Sequence, residues 1–305
     1  MTGETKRIDR VAVIGLGLLG GSLGLAVAQY APEITTTGFD SDPEVRDRAR
    51  QRGLVKHVCD SAAEAVQGAD LVILCVPVGA MGAAAHDVAG ALPPGAIISD
   101  VGSSKQSVMH DLVAALPGHV VIPAHPVAGT EQSGPDAGFA SLFVNRWCIL
   151  TPPEGTDEAA VAALAAFWER LGSRIDIMDA GHHDLVLAVT SHIPHLIAYT
   201  IVGTASDLEG VTRGEVIKYS AGGFRDFTRI AASDPTMWRD VFINNRAAVL
   251  EMLGRFTEDL TALQRAIRSG DGDTLFELFT RTRAIRRSII DEGQDDAAPD
   301  FGRGH

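Results

Sequence analysis

Short apolar runs alternate with helix-like stretches from residue 11 to about residue 179. The runs are rich in Val, Ile and Leu, and lie at 11–14, 34–39, 71–76, 96–99, 120–122, 147–150 and 174–177. Near-continuous apolar runs are typical of strands that are covered on both faces. The helical stretches between them include 43–52, 79–91, 105–116 and 157–171. This alternation predicts a Rossmann-type, doubly wound parallel sheet at residues 8–179.

The pattern changes near residue 180, after which we find no convincing strand. Helical patterns dominate at 181–208, 213–220, 235–269 and 273–290. The first of these is apolar nearly all round, as a helix in a bundle or dimer core is. We therefore predict an α/β protein whose second domain, 180–291, is an all-α dimerisation domain. The segment 292–305 is acidic and rich in Gly, Pro and Asp, and is predicted to be disordered.

The net charge, the cysteines and the N-terminal segment indicate which binding partners and which cellular compartment suit this chain. The net charge of −13 argues against nucleic acid or an anionic membrane surface. Cys59, Cys75 and Cys148 lie in apolar surroundings without a C-x-x-C pair, which indicates reduced thiols. The polar N-terminus has no apolar signal region, and we identify no apolar run of about 18 residues for a membrane span. These features predict a cytoplasmic protein.

A glycine pattern follows the first predicted strand. Gly15, Gly17 and Gly20 form G-x-G-x-x-G between the run 11–14 and an apolar helix. Gly15 would allow the tight turn, Gly17 the close approach of a pyrophosphate, and Gly20 the packing of helix on sheet. Because this motif stands between a strand and a helix, it predicts a dinucleotide at the helix N-terminus.

Three other strand ends should face the same cleft. Asp40 ends the second run, where its carboxylate can accept hydrogen bonds from ribose hydroxyls and repel a 2′-phosphate, which favours NAD over NADP. Val76 and Pro77 end the next long run and complete the predicted cofactor-binding set. Ser103 lies just before the helix that begins near Lys105. It is equally suited to capping that helix or to a role in the cleft.

The segment after the run 120–122 carries the candidate chemistry. We expect His125 in the loop where that strand ends, with Glu131 farther along the same loop. Ligands of open parallel sheets bind beyond the carboxyl ends of the strands, and a histidine there can act as a base near neutral pH. His125 is therefore our catalytic candidate. A histidine packed into a turn is the alternative.

The helical half contributes two further clusters. His192 and His195 share a helical face, and no obvious carboxylate or thiolate completes a metal site with them. We predict no metal, a core position for His192 and a substrate contact for His195, with a helix distortion at Pro194. A predicted Gly-Gly turn at 222–223 precedes Arg225 and Arg229, whose guanidinium groups suit carboxylate capture. A solvated helix start is the alternative for Arg225.

Several separated motifs resemble those of the prephenate dehydrogenases, a group that includes arogenate and cyclohexadienyl dehydrogenases. The resemblance covers about residues 8 to 290. It rests on the glycine motif and on four later segments: Val101-Gly102-Ser103-x-Lys105, His125-Pro126-x-Ala128-Gly129-Thr130-Glu131-x-Ser133-Gly134, Ser191-His192-x-Pro194-His195 and Gly222-Gly223-Phe224-Arg225-Asp226-x-Thr228-Arg229.

The resemblance implies NAD-dependent oxidative decarboxylation of prephenate, or of arogenate, in the tyrosine branch of aromatic amino acid biosynthesis. By analogy, His125 is the base on the C4 hydroxyl and Ser103 orients that hydroxyl. Arg229 holds a substrate carboxylate, His195 contacts the substrate, and Glu131 is a gate or a supporting residue. The family also implies a homodimer through the helical domain.

Two other functions stay open at this point. The first is a related dehydrogenase for a β-hydroxy or imino acid. Such enzymes use a lysine in the helical half, and Lys218 is the only lysine after Lys105. The second is a non-catalytic NAD-binding sensor.

Overall fold

A computed structural model describes residues 6–207 and 222–291. The chain forms two compact units, Met1–Val249 and Leu250–His305. All the strands of the described residues lie in the first unit. The predicted helix at 213–220 and the predicted disordered tail at 292–305 fall outside the described residues.

The main sheet has six parallel strands in the order β3-β2-β1-β4-β5-β6. This arrangement confirms the predicted Rossmann-type fold. The pattern missed β3 because His57 and Val58 form no apolar run, whereas the equally short β6 lies in the run 120–122. The strands are β1 (Arg10–Ile14), β2 (Thr35–Phe39), β3 (His57–Val58), β4 (Leu71–Leu74), β5 (Ile97–Asp100) and β6 (Val120–Val121).

Helices follow the strands and cover both faces of this sheet. Alternate residues of β1 enter different clusters, with Val11 and Val13 in one apolar core and Ala12 and Ile14 in the other. That alternation is why the strand is apolar throughout. The helices are α1 (Leu18–Tyr30), α2 (Pro43–Arg52), α3 (Ala62–Ala65), α4 (Met81–Ala89), α5 (Gln106–Ala115) and α6 (Glu158–Arg170).

A second sheet of three strands corrects the prediction of a single one. It contains β7 (Ala124–Pro126), β8 (Trp147–Leu150) and β9 (Arg174–Ile177), with β7 antiparallel to β8. His125 was expected in a loop, but it lies in β7 opposite Ile149. Pro123 and Pro126 made this strand hard to predict, because proline lacks an N–H group and is confined in sheets to positions such as an edge strand. β7 is an edge strand.

The first long apolar helix is interrupted near its middle. α7 (Ala180–Leu187) continues into a π-helix, Ala188–His192, and then into α8 (Ile193–Asp207). The π-helix lies just before Pro194, whose ring cannot follow a regular turn. The predicted distortion at Pro194 is therefore confirmed.

The next helices begin after the undescribed segment. α9 (Gly222–Thr228) leads into a 3₁₀ turn, Arg229–Ala232, and then α10 (Pro235–Asn244). The Gly-Gly turn predicted at 222–223 is wrong, because both glycines belong to α9. The single helix predicted over 235–269 is also wrong, because it breaks at Asn245 and resumes as α11 (Arg246–Ser269). Asn245 leaves the helical conformation while its buried amide bonds to other elements.

The second unit contains most of α11 and all of α12 (Gly272–Asp291). The side chain of Asp271 accepts a hydrogen bond from the Thr274 amide at 3.0 Å near the start of α12. Large apolar side chains remain exposed on these two helices. They are Leu250, Leu260, Ile267, Phe276, Phe279 and Ile285.

The stretch Ala180–Asp207 is long and apolar enough to cross a membrane, judged by length and composition alone. Its mean hydropathy reaches 1.6, so our expectation that no run has this character is wrong. The stretch nevertheless carries the buried polar side chains of His183, Asp184 and His192. These side chains bond to the start of α5 and to Asn245, which ties the stretch into the first unit.

Candidate active site

The turn after β1 has the geometry that the glycine pattern predicts. Gly15 has φ of +98°, and a Cβ there would lie 2.5 Å from the Cys75 carbonyl oxygen. A Cβ on Gly20 would lie 1.9 Å from the Gly15 carbonyl oxygen. Gly17 is the N-cap of α1, where a Cβ would meet nothing within 4 Å. With no side-chain cap and no acidic residue in its first turn, α1 presents N–H groups suited to a pyrophosphate.

Asp40 and Val76 lie beside this turn. The Asp40 carboxylate accepts hydrogen bonds from the amides of Leu16 at 2.8 Å and Asp42 at 3.0 Å. A Cγ of Val76 lies 3.1 Å from the Cβ position of Gly15, and Pro77 starts the next 3₁₀ turn. The residues predicted to hold a dinucleotide therefore converge on one edge of the sheet, and their donors and acceptors fit one.

His125 is buried and belongs to a hydrogen-bonded chain of three side chains. Its Nδ1 lies 2.9 Å from Nε2 of His183, and Nδ1 of His183 lies 2.9 Å from Oδ1 of Asp184. Asp184 in turn accepts from the amides of Lys105 at 2.7 Å and Gln106 at 3.0 Å. Sequence reasoning missed His183 and Asp184 because they look like ordinary residues in the first turns of a helix.

The surroundings of His125 favour its neutral form. Burial lowers the pKa of His125 well below its ordinary value, and positive charge on His183, Lys105 or His192 would lower it further. Burial also lowers the pKa of His183, although the Asp184 carboxylate opposes that change. A neutral imidazole has one unprotonated ring nitrogen, which is what a general base requires.

A fully buried ion pair holds the backbone next to His125. Lys105 Nζ pairs with Asp100 Oδ2 and also donates to the Ala124 carbonyl at 2.8 Å. The Ala124 amide donates to Asp100 Oδ1 at 3.1 Å. The backbone amide and the backbone carbonyl of Ala124 are thus both hydrogen-bonded to the same ion pair. Burial raises the pKa of Asp100 and lowers that of Lys105, and their mutual attraction opposes both changes.

Ser103 lies on the segment that connects β5 to this pair. The capping role considered for Ser103 is wrong, because Lys105 is the N-cap residue and the first amides of α5 bond to Asp184. Ser103 is half-buried, and its backbone lies near the ring of His192. Its hydroxyl is therefore not needed for capping and stays a candidate for the cleft.

Glu131 and Arg229 contact each other, although they lie far apart in the sequence. Arg229 Nη1 is 3.1 Å from Glu131 Oε2, and the two side chains are 51% and 37% exposed. Arg225 lies one turn earlier on α9 and is exposed. The predicted carboxylate-binding arginine thus already has a carboxylate partner from the segment that follows β7.

The two histidines on the interrupted helix have different surroundings. His195 donates from Nδ1 to the Ser191 carbonyl at 2.8 Å and stacks on Trp238, with ring centroids 3.6 Å apart. His192 is fully buried, and its Nδ1 accepts from the Asn245 amide at 3.0 Å. Burial lowers the pKa of His195, and nearby Arg229 adds to this effect. The half-buried ring of His195 remains available to a ligand.

Family models match nearly the whole of this chain. A model for the prephenate dehydrogenase nucleotide-binding domain matches residues 23–177. A model for the prephenate dehydrogenase dimerization domain matches residues 179–281. The chain belongs to the prephenate dehydrogenase family. The resemblance proposed from separated motifs is therefore confirmed.

Individual members of the family are similar over most of their length. Cyclohexadienyl dehydrogenase from Zymomonas mobilis is 48% identical over 92% of this chain and 95% of its own length. Prephenate dehydrogenase from Bacillus subtilis is 32% identical over 92% of this chain and 76% of its own. The crystal structure of Aquifex aeolicus prephenate dehydrogenase with hydroxyphenyl propionate and NAD⁺ has a TM-score of 0.87 and 30% identity. The matched region covers 94% of this chain and 100% of the Aquifex aeolicus chain.

The two family models meet near the predicted change of domain at residue 180. The compact units of the structure divide elsewhere, at Val249, because α7 contacts α5 and α10 contacts the 3₁₀ turn that follows β4. The domain limits 8–179, 180–291 and 292–305 stay a prediction, and so do the roles of the individual site residues.

Proposed function

We propose that this member of the prephenate dehydrogenase family catalyses the NAD-dependent oxidative decarboxylation of prephenate to 4-hydroxyphenylpyruvate and CO₂, a step of tyrosine biosynthesis. The observation that carries the proposal is the buried, hydrogen-bonded series of three side chains, His125, His183 and Asp184. The polypeptide that contains it covers 95% of the length of a relative named cyclohexadienyl dehydrogenase. This chain of residues provides a neutral base beside the predicted dinucleotide site. The activity and cofactor predicted from sequence agree with the names of the relatives.

Six residues would hold NAD⁺ in this proposal. Backbone N–H groups at Gly17 and the start of α1 bind the pyrophosphate, while Gly15 and Gly20 keep the turn tight. Asp40 accepts from the adenosine ribose, and Val76 and Pro77 form a wall of the same cleft. When bound, NAD⁺ supplies the acceptor for a hydride from C4 of the substrate.

The chain's own residues provide the proton transfer and the orientation of the substrate. His125 takes the proton from the C4 hydroxyl as the C4–H bond breaks, which leaves a carbonyl at C4. The C1–carboxylate bond then breaks, CO₂ leaves, and its electron pair completes the aromatic ring, after which the C4 oxygen regains a proton. Ser103 orients the hydroxyl. Aromatisation drives the reaction, so positioning is the main task of the protein.

The arginine cluster and His195 would bind the remaining polar groups of the substrate. Arg229 binds a substrate carboxylate in this proposal. Glu131, which is 3.1 Å from Arg229, acts as a gate because its carboxylate must move aside before the substrate can bind to the arginine. His195 already donates through Nδ1, which leaves its Nε2 as the ring nitrogen that would bind the substrate. Arg225, four residues before Arg229 in the sequence, is the second arginine that we expect to contact the substrate.

Arogenate is the alternative substrate, because it differs from prephenate only by an amino group in place of the side-chain ketone. The cyclohexadienyl ring named in the Zymomonas relative is common to both acids. Arogenate dehydrogenase from Synechocystis has a TM-score of 0.78 at 27% identity. Comparing kcat/KM for the two acids, with products separated by chromatography, distinguishes 4-hydroxyphenylpyruvate from tyrosine.

The direct test of the function follows NADH absorbance with prephenate and NAD⁺. The proposal expects NADH and 4-hydroxyphenylpyruvate in equal amounts. Absence of turnover with both acids, combined with measurable NAD⁺ binding, would instead support a non-catalytic sensor.

The proposal extends to a cytoplasmic homodimer that forms through the helical domain. The match of residues 179–281 to a dimerization domain supports this, as do the exposed apolar side chains Phe276, Phe279 and Ile285. All three cysteines are free, which suits a reducing compartment. Light scattering should give twice the 32.2 kDa mass of one chain.

A further inference from the structure

We propose that His183 and Asp184 fix the tautomer of His125, so that its Nε2 always carries the lone pair that receives the substrate proton. His183 and Asp184 are positioning residues in this scheme, and they do not touch the substrate. The inference rests on the proposed role of His125 in the reaction, but the tautomer itself can be measured without turnover.

Asp184 lies where its carboxyl group accepts hydrogen bonds from the backbone. Its carboxylate is buried and accepts two backbone amides at the start of α5, from Lys105 at 2.7 Å and Gln106 at 3.0 Å. The N-terminus of a helix stabilises a negative charge through its free N–H groups and its dipole. With a backbone amide donating to each oxygen at a helix N-terminus, the carboxyl group of Asp184 is placed to accept hydrogen bonds rather than to donate them.

The acceptor role of Asp184 determines which ring nitrogens of His183 and His125 carry hydrogen. Because Asp184 Oδ1 only accepts, Nδ1 of His183, 2.9 Å away, must carry its hydrogen. His183 is fully buried, which favours its neutral form, so its Nε2 carries a lone pair. Nδ1 of His125 lies 2.9 Å from Nε2 of His183 and must donate to its lone pair. A neutral His125 with hydrogen on Nδ1 has its lone pair on Nε2.

Other contacts keep this chain of side chains in place. The Asn245 amide donates to the Asp184 carbonyl at 2.8 Å and to His192 Nδ1 at 3.0 Å. The ion pair of Lys105 and Asp100 holds the backbone of Ala124, which precedes His125. Lys105 thus takes part in both groups of contacts, through its Nζ beside the backbone of His125 and through its amide at Asp184.

The test compares two substitutions at one position. His183→Gln can place its amide oxygen where Nε2 of His183 lies, and so can still accept from His125. His183→Met fills a similar volume but offers no comparable acceptor. His182→Met is the matched control, since His182 precedes His183 on the same helix and is exposed.

Steady-state kinetics with prephenate, or arogenate if that is the substrate, give the first readout. We expect His183→Met to lower kcat by roughly 10²-fold or more, since loss of a correctly oriented base costs that much. KM for NAD⁺ should stay unchanged. His183→Gln should recover kcat to within about tenfold of the parent, and His182→Met should match the parent. Equal kcat in the Met and Gln variants would overturn the proposal.

Long-range ¹H–¹⁵N spectra of the histidine rings give the second readout, with His125 assigned by comparison with His125→Asn. The parent and His183→Gln should show hydrogen on Nδ1 of His125, and His183→Met should show a mixture of tautomers. Hydrogen on Nε2 in the parent, or an unchanged tautomer in His183→Met, would overturn the inference. These spectra remain decisive if the chain turns over neither acid, which would refute the proposed function alone.

Discussion

The buried ion pair beneath His125 leads to a specific prediction about stability. Lys105→Met removes Nζ and leaves the Asp100 carboxylate with two hydrogen-bond donors among the described residues, the amides of Gly102 at 2.7 Å and Ala124 at 3.1 Å. Both side chains of the pair are completely buried. Breaking such a pair from one side costs about 3–5 kcal/mol, because an uncompensated charge stays in the core. We expect the free energy of unfolding to fall by this amount at pH 8.

The dependence on pH separates this charge effect from lost packing. Without Lys105, burial should hold the pKa of Asp100 above its unfolded value, so the folded state takes up a proton as pH falls. The stability gap between Lys105→Met and the parent should therefore shrink from pH 8 to pH 5. Guanidinium denaturation at one protein concentration measures this gap, with the exposed Lys56→Met as control. A gap below about 1 kcal/mol, or one independent of pH, would refute the reasoning.

Three further predictions concern the substrate, the cofactor and acid stability. Arg229→Ala should raise KM for prephenate roughly tenfold to hundredfold through loss of a charged hydrogen bond, and an unchanged KM would exclude this carboxylate contact. Asp40→Ser should increase the ratio of kcat/KM for NADP to that for NAD, and an unaltered ratio would contradict its predicted position near the ribose. Burial lowers the pKa of His192 to about 4, so the unfolded chain binds protons first and stability should decrease from pH 6.5 towards 4. Denaturation midpoints that do not change over this range would contradict that assignment.

The parts of the fold that follow from local pattern could be predicted from the sequence. The parallel strands are recognisable because each is buried on both faces, and the glycine turn because Gly15 and Gly20 have no room for a side chain. The separated motifs identified the family because each preserves a short stretch of contiguous residues.

The contacts that surround His125 depend on residues far apart in the chain. His125 and His183 are 58 residues apart, and the amide of Lys105 bonds to Asp184 across 79 residues. Local pattern therefore assigned Lys105 to an ordinary helix start and His183 to an ordinary helix. Asn245 interrupts a continuous helical pattern because tertiary hydrogen bonds satisfy its buried amide. Such effects have no local signal.

The proposed function requires that this chain oxidises prephenate with His125 as the base. Asn places an amide nitrogen where Nδ1 of His125 lies, so His125→Asn can keep the hydrogen bond to His183 while it loses the basic Nε2. The deciding measurement is the initial rate of NADH formation from prephenate by the parent and by this variant. We expect turnover by the parent, a decrease in kcat of roughly 10²- to 10⁴-fold in His125→Asn, and unchanged NAD⁺ affinity. A variant whose kcat stays within about tenfold of the parent would contradict the role of His125 as the base.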